Sequence, residues 1–136
     1  MPKISIIVSS EKLDKLFEVA TLSSTAITMN WKAELFFTFW GLMALKRDFE
    51  AKNVTSDYSQ YAEILSSAVN SGSLPNWRDL LIKSKESGNL KIYACSTSLN
   101  MFGIKKEDLG DFVDEIVGAA TFLSRAKDSD INLFIS

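Results

Sequence analysis

The 136-residue chain contains no histidine. That removes the Ser-His-Asp and Cys-His nucleophile arrangements, the common imidazole metal ligand and the side chain best suited to proton transfer near neutral pH. Cysteine occurs once, at position 95, so no internal disulfide can form and the chain fits a reducing interior, with the cytosol as the expected address. An excess of positive charge is missing too. Fifteen Lys and Arg face seventeen Asp and Glu, and no basic cluster exceeds Lys46-Arg47 or Lys105-Lys106, which argues against a nucleic-acid partner. The acidic residues are spread along helix faces with no compact set, so no metal site is expected. Gly41, Gly72, Gly88, Gly103, Gly110 and Gly118 fit neither a P-loop nor a dinucleotide fingerprint. The most apolar stretch, Leu35 to Leu45, is too short to span a membrane and contains Thr38 and Gly41. The start, Met1-Pro2-Lys3-Ile4-Ser5, lacks the apolar core and cleavage site of a signal peptide.

What is present is an ordinary globular composition. With 46% hydrophobic and 24% charged residues, the chain can bury a core and is expected to fold as a single domain over 1–136. Lys3 to Val8 is a β-branched run. The apolar positions Leu13, Leu16, Phe17 and Ala20 then follow helical spacing, predicting a helix near 11–29. Ala33 to Phe39 reads as a second buried strand, with Trp40-Gly41 turning into a helix near Leu42 to Lys46. From Asp48 to Ser73 the chain is polar. One helical island there carries Tyr58, Tyr61 and Leu65 on one face, a helical insertion suited to covering a site or meeting another subunit. Pro75 suits a helix start, and Asn76 to Glu86 closes at Ser87-Gly88. Leu90 to Ala94, Val113 to Val117 and Ile131 to Ile135 complete five strands. Helical segments follow Cys95 and begin at Gly118-Ala119-Ala120. Alternating strands and helices predict a three-layer α/β/α sandwich around a mainly parallel five-stranded sheet, whose strand order one sequence does not reveal.

Cys95 sits where the third strand gives way to Ser96-Thr97-Ser98. Ligand crevices of parallel sheets lie at strand carboxyl ends, and a following helix aims backbone N–H groups at them, so a thiol placed there ionises more readily. Cys95 is therefore the candidate nucleophile and is expected to be partly exposed. The hydroxyls of Ser96, Thr97 and Ser98 are candidates for holding an anionic sulfur group, although the same residues serve equally as helix caps. Phe36, Phe37, Phe39 and Trp40 read mainly as strand core. Trp40 and, more weakly, Thr38 are candidates for a crevice wall beside Cys95.

Three segments together carry a family resemblance: Phe36-Phe37-Thr38-Phe39-Trp40-Gly41-Leu42, Ile92-Tyr93-Ala94-Cys95, and Val117-Gly118-Ala119-Ala120-Thr121-Phe122-Leu123. In this order the chain resembles the DsrE/DsrF-like family, in the branch often labelled peroxiredoxin-like. The resemblance implies a small α/β protein of sulfur metabolism that carries sulfur on a cysteine, here Cys95, with no cofactor. It further implies a homo-oligomer working with a TusA-type carrier or a rhodanese. The residues after Cys95 depart from the branch's pattern, in which an amide, methionines and an acid would be expected. The expected function is therefore a sulfur carrier or sulfurtransferase moving sulfane or thiosulfonate sulfur, since thiolate attack on such sulfur requires neither metal nor histidine. The rival is a non-catalytic oligomeric module that binds a small ligand and in which Cys95 is structural. A peroxidase is disfavoured by the lack of a second, resolving thiol.

Overall fold

The computed structural model describes residues 1–136. Its elements run β1 (Lys3–Val8), α1 (Leu13–Thr28), β2 (Lys32–Phe37), a 3-10 segment (Phe39–Leu45), a second 3-10 segment (Ser56–Tyr61), α2 (Ala62–Asn70), α3 (Trp77–Ser84), β3 (Leu90–Cys95), α4 (Ser96–Phe102), β4 (Glu115–Val117), α5 (Ala119–Ala126) and β5 (Ile131–Ile135). The sheet order is β4-β3-β2-β1-β5, and every pairing is parallel. The registers align Val8 with Phe37 and Ile135, and Cys95 with Val117, so all five carboxyl ends meet along one edge of the molecule. The chain moves outward from β1 to β4 and then returns to β5 on the other side of β1. Between β1 and β5 the winding reverses, which is where open α/β sheets form ligand crevices.

Side chains alternate across the strands. Ile4, Ile6, Val8, Ala33, Leu35, Phe37, Leu90, Ile92 and Ala94 enter the larger core beneath α1 and α3. Phe36, Tyr93, Cys95 and Val117 point the other way and are covered by Phe122 and Ala126 of α5. Phe122 stacks on Phe36 with ring centroids 4.7 Å apart. Helices on both faces make the three-layer sandwich.

The expected helix at Leu42 to Lys46 is instead a 3-10 segment that starts earlier, and β2 stops at Phe37 rather than Phe39. The cause is a close backbone crossing. The Thr38 N–H donates to the Val8 carbonyl at 2.9 Å, and Gly41 lies so near that a Cβ there would be 2.2 Å from the same oxygen. At the far end, Arg78 donates to the carbonyls of Ala44 at 2.7 Å and Lys46 at 2.9 Å, which occupies acceptors a continuing helix would use. β4 begins at Glu115 rather than Val113, because the Asp114 carboxylate accepts from the Ile92 N–H at 2.7 Å and from Lys85. The polar excursion at 48–73 is helical only from Ser56 onward. Its Ala62 and Leu65 pack on the core, while Tyr58 and Tyr61 stay exposed.

Candidate functional site

Cys95 is the last residue of β3 and the N-cap of α4. Its backbone is extended, so the side chain stands at the mouth of the helix. Gly103, in the left-handed conformation with φ 64°, closes α4 after two turns. Contrary to the expectation of partial exposure, Cys95 retains only 5% of its surface. The strand's alternation turns it under α5 with Phe36, Tyr93 and Val117, where apolar neighbours exclude water.

Two opposing influences act on the thiol. Burial pushes its pKa up, but the hydroxyls of Ser98 and Thr38 and the backbone N–H groups of Ser98 and Thr97 face it. Together these hold the thiol below its ordinary value. A buried cysteine without such donors would be inert. Ser98 is the centre of this arrangement. Its Oγ accepts from the Phe39 N–H at 2.8 Å and lies 3.2 Å from Thr38 Oγ1, and the side chain is 3% exposed. One hydroxyl offers one proton and two lone pairs. Having accepted from the Phe39 N–H, Ser98 Oγ keeps its own proton to donate to a Cys95 thiolate, and the Thr38 hydroxyl, which can act as donor or acceptor toward Ser98, stands beside the same thiol.

The three hydroxyls after the cysteine are thereby separated by position. Ser98, one turn into α4, faces the thiol. Thr97 contributes its backbone N–H and leaves its side chain exposed. Ser96 is half-buried and turned toward Gly118, where an added Cβ would lie 3.7 Å from Ser96 Oγ. Thr38 reaches the thiol's surroundings from β2. Trp40 is 53% exposed and packs against Phe39 and Phe102, with ring centroids 4.9 and 5.4 Å away, forming an outer aromatic rim.

Phe39 is a participant that residue types did not announce. Its φ of 51° lies in the left-handed region, which a bulky side chain rarely adopts. The conformation aims its N–H at Ser98, and strain of this kind persists only where the surroundings hold it in place. No sequence signal marks it, because phenylalanine shows no preference for that region.

A cleft of about 1020 Å³ opens at the carboxyl ends of β1, β2 and β5. Ser9, Ser10 and Lys12 line one side, and Thr38, Phe39 and Trp40 the other. Cys95 is not among its lining residues, but Thr38 belongs to both sites. No group of three or more Cys, Asp or Glu side chains converges as a metal site. No helix is long and apolar enough to cross a membrane.

Comparisons with known proteins agree with this architecture. The chain matches the model of the DsrE/DsrF/DrsH-like family over residues 1–71 and 59–134. It is 27% identical to the sulfur carrier protein DsrE2 of Allochromatium vinosum, covering 98% of each chain. Its fold is similar to that of the ychN protein from E. coli, with TM-score 0.61, 18% identity, and 99% and 100% of the two chains covered. The same TM-score, at 13% identity, relates it to a protein of unknown function, MTH1491, from Methanobacterium thermoautotrophicum, with 98% and 97% covered.

Proposed function

Because the chain belongs to the DsrE/DsrF/DrsH-like family and has a role in sulfur metabolism, we propose that it carries sulfur on Cys95, as a sulfurtransferase or stoichiometric carrier. The observation that carries this reading is the ring of donors around the thiol. Ser98, Thr38 and two backbone N–H groups favour the thiolate despite its burial. The Cys95 thiolate attacks the outer sulfur of a persulfide R–S–SH, the S–S bond breaks, and R–S⁻ leaves while Cys95–S–SH forms. With tetrathionate, attack on a sulfane sulfur yields Cys95–S–S–SO₃⁻ and releases thiosulfate. Both are exchanges with no net redox change and no added cofactor. The donors that hold the thiolate then hold the terminal anion of the loaded group. Access to Cys95 requires movement. The strained Thr38-Phe39 link, hydrogen-bonded to α4 through Ser98 and packed on it through Phe102, is the segment whose relaxation opens it.

A homo-oligomer in the cytosol, exchanging sulfur with a TusA-type carrier or a rhodanese, accords with the family. Tyr58 at 61% and Ile64 at 63% exposure leave an apolar surface open for a second copy. The alternative, a small-ligand-binding module with a structural cysteine, is favoured by one observation, the 5% exposure of Cys95. Intact mass after incubation with polysulfide and with tetrathionate separates the two. The carrier gains reductant-labile sulfur or thiosulfonate on Cys95 and Cys95→Ser gains nothing. Absence of any adduct on the reduced wild type, or equal labelling of Cys95→Ser, overturns the carrier reading.

A further inference from the structure

The cleft at the reversal point between β1 and β5 has a charge pattern that the chemistry at Cys95 does not use. Lys12 and Lys15 lie one helical turn apart at the start of α1, both half-buried in its wall, and neither ammonium has a carboxylate partner. The nearby Asp14 carboxylate is taken up by Thr55, accepting from its N–H at 3.1 Å and from its hydroxyl at 2.5 Å. Glu11, also in the wall and unpaired, is the one free side-chain carboxylate. Two ammonium groups and one side-chain carboxylate, with Ser136 beyond β5 on the same wall, complement a ligand with two carboxylates and one ammonium.

Distance narrows the class. Cys95 ends β3, two strand spacings from the end of β1, or about 10 Å. The route passes over the end of β2, where Thr38 lines the cleft and also faces the thiol. A single amino acid is too short to reach from the β1 end of this cleft to Cys95. Three extended residues span roughly 10 Å.

We propose that this cleft binds the non-reacting part of a small-peptide persulfide, of glutathione type, and presents its outer sulfur to Cys95. Its carboxylates meet Lys12 and Lys15, and its ammonium meets Glu11. Attack by the Cys95 thiolate on the outer sulfur gives Cys95–S–SH and releases the peptide thiolate, so the electrons balance within the exchange. This inference rests on the sulfur-carrier reading for the transfer step, while the binding step stands by itself.

The test has two independent arms. In the first, the full chain is loaded with glutathione persulfide or with inorganic polysulfide, and initial rates are followed by intact mass. The rate ratio of the two donors falls about ten-fold in Lys12→Gln/Lys15→Gln, the effect of losing two partly buried charge contacts. Lys83→Gln, an exposed position on α3, keeps the wild-type ratio. A ratio unchanged in the double variant overturns the proposal. In the second arm, unreactive S-methylglutathione is titrated by NMR against Cys95→Ser, with shifts expected at Ser9 to Lys15 and Thr38 to Trp40. Loading by polysulfide without S-methylglutathione binding overturns the cleft and leaves the carrier intact. Binding without loading by any donor overturns the carrier and leaves the cleft as a peptide site. Tighter binding of a phosphate-bearing thiol such as coenzyme A overturns the peptide assignment.

Discussion

Replacing Ser98 by alanine tests the donor arrangement at its centre. The substitution removes the acceptor of the Phe39 N–H at 2.8 Å and the hydroxyl that faces Cys95. An amide hydrogen in a partly buried position is left without a partner, which costs about 1–3 kcal/mol. In a chain of 136 residues that lowers Tm by roughly 3–10 °C. The second consequence is electrostatic. Burial still opposes the thiolate while one of the groups favouring it is gone, so the Cys95 pKa rises. Iodoacetamide labelling followed against pH reads it directly, because the rate tracks the thiolate fraction. The midpoint of the wild-type profile lies below that of an ordinary cysteine, and that of Ser98→Ala moves up. Asn100→Ala, exposed on the same helix, moves neither midpoint nor Tm by a comparable amount. A Ser98→Ala profile with an unchanged or lower midpoint would refute the role given to this hydroxyl, even if stability fell.

The depressed pKa of Cys95 also links to folding. Between its folded and unfolded values the unfolded chain binds more protons, so this group's stabilisation is complete above the unfolded value and is lost as pH falls through the folded one. Urea unfolding across that range should therefore show stability rising more steeply with pH in wild type than in Cys95→Ala, and parallel curves would contradict the shift. Gly41→Ala drives a Cβ to 2.2 Å from the Val8 carbonyl oxygen, and about 2–4 kcal/mol of stability should be lost in the same assay. At α3, Asn76 accepts from the Arg78 N–H at 2.9 Å and the Asp79 N–H at 3.1 Å, so Asn76→Ala should cost about 1 kcal/mol. A variant as stable as wild type would show that the cap is dispensable.

Local patterns reached far into this protein. The apolar run Leu90 to Cys95, buried at every position but Lys91, the helical spacing of Leu13, Leu16 and Ala20, and the left-handed glycines Gly88, after the 3-10 turn that follows α3, and Gly103, after α4, follow from chain stereochemistry and local composition, which act over a few residues and are written in them. So does the placing of Cys95 at a strand end against a helix start. Tertiary structure decided what depends on contacts between distant segments. The order β4-β3-β2-β1-β5 arises from how whole helices cover two faces, and it puts the reversal point and its cleft beside β1. Which of three adjacent hydroxyls serves Cys95 was settled by Thr38 and Phe39, some sixty positions earlier, meeting Ser98. Phe39 takes its left-handed conformation only because β1 and α4 grip the chain on either side of it. No local preference of phenylalanine encodes that, since strain is held by the assembled fold rather than by the residue.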